Sequence, residues 1–368
     1  MGAIPADYNP NFICSLATCS VKFWGFVKYQ PSLPGNVLFL VLIDLLGLAH
    51  LILGAWYHTG TVCVAMVLGL AAESTGYVAR ILLHFNPFYR IYFLIYLIDL
   101  TTGPAFFAAA IYLTLGRIVV AYGENISRIK PRTYTIFFIG CDFISLSIQA
   151  VGGGIAASYP ITKPKMIDLG TNILVAGLSF QVASLFAFMA CAGEFLWRVK
   201  KHPHLRNPEF AELVNSRKFK LFIGAILLAT TTLFIRTIFR SVELSEGFGG
   251  KLANEEGTFM ILDGVMVLIA VICMTIMHPG YAFGDRWNDV SFAFWGPETS
   301  MTYEARSQMI ADRANGRANK ASRAEQAQSD LEARRAARRH SMMTGGRYGS
   351  NSEKTRPEVS VLAAPSAQ

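Results

Sequence analysis

Long apolar runs alternate with short polar stretches along most of this chain. Seven runs stand out, at residues 37–57, 61–83, 91–115, 134–156, 167–195, 219–238 and 257–277. A helix needs about 20 apolar residues to cross a hydrocarbon core of roughly 30 Å. The pattern therefore predicts an all-α integral membrane bundle of seven transmembrane helices. The link between the first two runs is very short, which predicts a tight antiparallel pair. Residues 1–36 then form an N-terminal segment, 37–280 the membrane domain and 281–368 a tail.

Composition agrees. Hydrophobic types make up 52% of the 368 residues and charged types 16%, where soluble domains carry roughly 25% charge. The net charge of +8 belongs to loops and tail. Residues 281–368 hold thirteen Lys and Arg against ten Asp and Glu, and the tail reads as mostly disordered, with a helix possible over 303–340. No basic face is interleaved with exposed aromatics in a soluble unit, which excludes nucleic acid as a partner.

Orientation follows the Lys and Arg bias. Arg117, Arg128, Lys130, Arg132, Arg198, Lys200, Lys201, Arg206, Arg217, Lys218 and Lys220 fall on one side. The other side has Lys22, Lys28, Arg90, Lys163, Lys165, Arg240 and Lys251. The excess predicts an N-terminus outside and a cytosolic C-terminus. Met1 to Phe12 lacks the basic start and apolar stretch of a signal peptide. Cys14 and Cys19 would then lie outside, where a short disulfide loop is possible. Cys63, Cys141, Cys191 and Cys273 sit singly in apolar runs and read as small buried hydrophobes.

Ionisable residues inside a bilayer are costly and usually face a bundle interior. The runs contain Asp44 and His50, then Glu73, Tyr77 and Arg80, then Asp99, Asp142, Gln149, Gln181, Arg236 and Asp263. Glu73, Tyr77 and Arg80 lie at i, i+4 and i+7, one helix face. Asp142, Ser145 and Gln149 repeat the spacing, with Gly152, Gly153 and Gly154 allowing close helix approach or a break. Arg236, Arg240 and Glu243 repeat it again. Arg80, Asp99, Gln149, Arg236 and Asp263 are expected to form one polar cluster in the outer half. Its acids, with Asp44, Glu73 and Asp142 added, outnumber Arg80 and Arg236. A net acidic pocket suits an amphiphile with a cationic head; a closed salt-bridge network fixing helix register is the alternative, and the two can coexist. His50 is expected to be a hydrogen-bonded core residue, and His278 to cap the last span, with Pro279 stopping it.

Missing motifs narrow the function. There is no Walker A sequence, no His-Glu-x-x-His and no Gly-x-Ser-x-Gly elbow. The seventh run has no lysine for a retinal Schiff base, and the third lacks an Asp-Arg-Tyr ending. An enzyme is not expected, nor any metal or cofactor.

Several stretches together resemble one family. They are Tyr29-Gln30-Pro31-Ser32-Leu33-Pro34-Gly35-Asn36 before the first run, Glu73-Ser74-Thr75-Gly76-Tyr77-Val78-Ala79-Arg80 in the second, and 142–154 in the fourth. Arg236-Thr237-Ile238-Phe239-Arg240-Ser241-Val242-Glu243, Gly247, Glu255 or Glu256, Asp263 and His278-Pro279-Gly280 continue the series. In this order they resemble the fungal, Rta-like lipid-translocating exporter family, which includes sphingoid long-chain-base exporters and aminocholesterol-resistance proteins. The resemblance covers about residues 29–280. It implies plasma-membrane residence and a role in lipid transport or lipid-stress resistance. The expected function is ATP-independent export of amphiphiles such as sphingoid bases or sterol-like compounds. The expected path is Glu73, Tyr77, Arg80, Asp99, Asp142, Gln149, Arg236, Arg240, Glu243 and Asp263, whose acids hold an amine or relay protons. A sensor signalling through the tail, and efflux of a fungal secondary metabolite, are the alternatives.

Overall fold

In the computed structural model, residues 16–159, 164–247, 250, 252–290 and 303–344 are described. Among the described residues, seven helices are long and apolar enough to span a membrane. We label them α1 (Leu33–Trp56), α2 (Gly60–Phe85), α3 (Arg90–Tyr122), α4 (Pro131–Ser158), α5 (Pro164–Lys201) and α6 (Arg217–Ser245). The last, α7, is composite: Glu256–Phe259, a π-helical stretch Met260–Val265, then Met266–Ile276. Each run found in the sequence falls on one of these helices to within one residue. Most helices extend past their run, because their polar ends project beyond the apolar core.

Short links make consecutive helices antiparallel neighbours, and α7 returns to α1. We call the end carrying the start of α1 the N-terminal face. The third helix is the most buried of the seven; it packs against α2, α4 and α6. Lipid removes the hydrophobic drive between spans, so small residues and polar contacts hold such helices together. Gly69 faces the Phe107 ring and Gly76 faces Leu100 across α2 and α3. The Gly152–Gly154 stretch does not break its helix. Instead Gly152 meets the backbone of Leu174, and Gly170 meets that of Ala156, bringing α4 and α5 close together.

Three departures from expectation concern boundaries. Residues 26–32 do not stand apart as a free segment; they dock on the bundle. Phe26 donates its amide to Pro87 O (3.3 Å), Lys28 to Asn254 Oδ1 (2.9 Å), and Gln30 Nε2 donates to His84 O (2.9 Å). His278 does not cap α7. Its Nδ1 accepts from Gly280 N (3.1 Å), capping the start of the next short helix, α8 (Pro279–Phe283), with Pro279 at its first turn. Nor does the chain leave the bundle at 280. Phe283 and Trp287 are buried, Phe283 packs on Phe219 and Phe222, and Arg117 stacks on the Trp287 ring (3.6 Å) while donating to its carbonyl (2.5 Å).

A second unit contains one helix, α9 (Tyr303–Thr344), 42 residues long. The stretch expected to be helical, 303–340, lies within it. Its described side chains over 318–336 are all exposed, as its Ala-, Arg- and Glu-rich sequence dictates.

Candidate functional site

The polar site starts from a defect in α3. Pro104 has no N–H, so the carbonyl four residues before it, Leu100, loses its helical partner. Arg236 of α6 fills that gap: its Nη2 donates to Leu100 O. Its Nε lies 2.9 Å from Asp263 Oδ1. Asp263 sits inside the π-helical stretch of α7, a local widening often found at functional sites.

One turn along α6, Arg240 Nε is 3.5 Å from the same Asp263 oxygen, and its Nη1 donates to Glu243 Oε2 (2.7 Å). All four side chains are at most 2% exposed. Burying such charges is tolerated only when they are paired.

Arg80 of α2 forms the upper part. Its Nε donates to Asn36 Oδ1 (2.8 Å) and its Nη2 to Tyr29 Oη (3.1 Å), with Glu256 Oε1 at 3.7 Å. Glu256 also accepts from Ser32 N (2.6 Å), tying the entry of α1 to the start of α7. The Phe259 ring joins the two groups: Arg80 stands 4.0 Å and Arg240 5.6 Å from its centroid. Three arginines thus meet three acids, Asp263, Glu243 and Glu256.

Glu73 is left over. It is wholly buried midway along α2, and neither carboxylate oxygen has a hydrogen-bond partner. The α3 backbone presses on it at Gly103, where an added Cβ would come within 2.7 Å of Oε1. The charged groups acting on it are Arg236, Asp263, Arg240 and Asp99. Tyr77, one turn further on, stacks on Phe39 (5.4 Å), and its hydroxyl abuts Gly264.

The single expected cluster is therefore two groups and two outliers. Glu73, Tyr77, Arg80, Arg236, Arg240, Glu243 and Asp263 come together. Asp142 and Gln149 do not join them: Gln149 lies between α4 and α5, where Ser145 Oγ donates to Gly177 O (2.7 Å) and Gln149 Nε2 to Gln181 Oε1 (3.0 Å), and Asp142 neighbours Tyr112 of α3. Asp99 is half-buried on the flank of α3 and accepts from Thr75 Oγ1 (2.6 Å). Asp44 is exposed on α1 and is no part of an internal acidic pocket. The paired group is a network of buried ion pairs. His50 is a buried core residue as expected, with Nε2 3.0 Å from Thr275 Oγ1. Cys14 lies outside the described residues, so its pairing with Cys19 stays an expectation. Among the described residues no three His, Cys, Asp or Glu side chains gather to hold a metal.

Sequence reasoning passed over Leu100, Pro104 and Phe259. A proline deep in an apolar run was the available signal for a free carbonyl; the phenylalanine gave none.

The match to known proteins follows the same residues. The family model for RTA1-like proteins matches residues 66–286. The chain belongs to the RTA1-like family. Among its relatives in Saccharomyces cerevisiae, the sphingoid long-chain base transporter RSB1 is 30% identical over 287 residues, 70% of this chain and 74% of its own. Protoporphyrin uptake protein 1 is 31% identical over 59% of this chain and 67% of its own, and protein RTA1 is 25% identical over 68% and 84%. No solved structure matches. The RTA1-like match contains every residue of the paired group except Tyr29, Ser32, Asn36 and Phe39.

Proposed function

We propose that this RTA1-like protein moves amphiphiles across the membrane without ATP, its N-terminus outside and its C-terminus in the cytosol, with the plasma membrane as its site. One observation carries the reading: Glu73, a carboxyl buried at mid-span with no partner, beside an otherwise balanced ion-paired network. An acid in that setting suits transient binding of an amine head or a proton. The network around it stands on two irregular helices, α3 at Pro104 and α7 at its π-helical stretch, which are natural places for the bundle to open. Two relatives named for moving a sphingoid base and a porphyrin support an amphiphilic cargo.

The test is translocation in proteoliposomes. Purified protein is reconstituted and given a fluorescent long-chain base, then protoporphyrin, with and without a pH gradient. The reading expects faster transbilayer movement of at least one cargo than in protein-free vesicles. No acceleration for either cargo under any gradient rejects it.

The long exposed helix α9 keeps a second reading alive, a sensor whose tail relays ligand binding. Truncation after residue 296 separates them. A translocator keeps its activity without α9, whereas a sensor loses its output.

A further inference from the structure

Asp142 differs from Glu73 in its surroundings. It too is buried, 4% exposed, with neither oxygen hydrogen-bonded. Glu73 has arginines beside it; Asp142 has no cationic side chain acting on it. The Tyr112 hydroxyl of α3 approaches it without ordinary hydrogen-bond geometry and is itself unpartnered. The pairing of α4 with α5 brings a third side chain to that level. Ser145 reaches Gly177 and Gln149 reaches Gln181. One turn below Ser145 is Asp142, and one turn beyond Gln181 is Ser184, so the two are level across the antiparallel pair. Ser184 Oγ is buried and unpartnered as well.

Buried polar atoms without partners are rare and call for an explanation. By that register, four oxygens of three side chains come to one level of the bundle. They carry a single negative charge and include no nitrogen or sulfur ligand, a set that suits a small, hard cation of one charge. A divalent ion would need a second carboxylate. The site is also tight and closed. The Gly152 backbone approach holds α4 against α5. Gln149, bonded to both Ser145 Oγ (2.8 Å) and Gln181, covers it toward the N-terminal face. Phe138 and Phe188, with ring centroids 5.7 and 4.4 Å from that of Tyr112, cover the other side.

We infer that Asp142, Tyr112 and Ser184 form a site for one small monovalent cation, Na+ or a proton, distinct from the ion-paired group around Asp263. The titratable groups near it are Tyr112 of α3 and Cys141 of its own helix, while α5 contributes the uncharged Ser184 and Gln181. Occupancy neutralises Asp142 and draws α3, α4 and α5 together. Its use as a driving ion rests on the transport reading; the binding itself does not.

The test measures the unfolding midpoint of the full chain in detergent, in Na+ against choline at constant ionic strength, from pH 5.5 to 8. A Na+ site predicts a rise of about 3 °C or more at saturating Na+, absent in Asp142→Asn. A proton site predicts a comparable rise as pH falls, equal in Na+ and choline, measured in the Glu73→Gln background so that Glu73 does not contribute, and absent when Asp142→Asn is added. Ser184→Ala and Tyr112→Phe keep the carboxylate and guard against misfolding of the Asn variant. Each should weaken the response at least about fivefold in half-saturating cation concentration. The proposal is overturned if the wild type responds to neither cation, or if its response persists unchanged in Asp142→Asn, or in both conservative variants. A cation response without any cargo movement would reject the transport reading and leave this site standing.

Discussion

Arg236 donates a hydrogen bond to the carbonyl of Leu100, the one that Pro104 leaves without an amide partner in α3. A backbone irregularity in one helix and an intramembrane charge in another thus satisfy each other. The same guanidinium holds Asp263 in the π-helical stretch of α7. Arg236→Lys keeps the charge but not the fork that reaches both acceptors. It should cost about 1–3 kcal/mol, the cost of an unsatisfied buried group. Pro104→Ala returns an N–H to Leu100, so the double variant should recover part of that loss. Unfolding midpoints of the two single variants and the pair, read as a double-mutant cycle, check the coupling; additive losses would refute it.

Neutralising Asp263 and Glu73 should have opposite consequences. Asp263→Asn leaves Arg236 and Arg240 facing each other and should cost about 3–5 kcal/mol, as breaking a buried pair does. Glu73→Gln removes no pair, so the unfolding midpoint should stay near that of the wild type. Denaturation of both variants in the same detergent decides; equal losses would mean that Glu73 is a structural ion-pair member.

Gly264 is where α7 lets Tyr77 and Phe39 in. An added Cβ would lie 2.7 Å from the Tyr77 hydroxyl and 2.9 Å from the Phe39 ring. Gly264→Ala should destabilise by about 1–3 kcal/mol through overpacking. Tyr77→Phe in the same chain removes the nearer atom and should restore part of it. Failure of that rescue would place the strain elsewhere.

The bundle continues past Gly280 to at least Val290, the last described residue of this stretch. Truncation after residue 296 should leave the unfolding midpoint unchanged, while truncation after 280 removes the buried Phe283 and Trp287. Trp287→Ala alone should cost about 3–5 kcal/mol, since the ring carries Arg117. Fluorescence-detected size exclusion of the three proteins reads this directly.

The seven helices were legible because run length alone decides what can cross a hydrocarbon core. The faces Glu73–Tyr77–Arg80 and Arg236–Arg240–Glu243 were legible because helical spacing fixes which residues of one helix share a side. Which faces meet is another matter. Gln149 sits at a spacing like that of Arg80, yet it meets Gln181 across α5. Asp44 lies in a helix that is apolar nearly all round, so periodicity could not say that it points outward. The π-helical stretch shifts the register of α7 at Asp263, which a regular 3.6-residue period does not anticipate. His278 looked like an end signal for α7 because its role as the start signal for α8 uses the same residue type and the same following proline.

The most direct test of the account is the rate at which a fluorescent long-chain base crosses proteoliposomes holding wild-type protein or Glu73→Gln, at matched orientation and matched unfolding midpoint. The account predicts wild-type movement clearly above protein-free vesicles and Glu73→Gln movement at their level. Equal rates for the two proteins would contradict it, because the unpaired carboxyl midway along α2 would then have no part in moving the cargo.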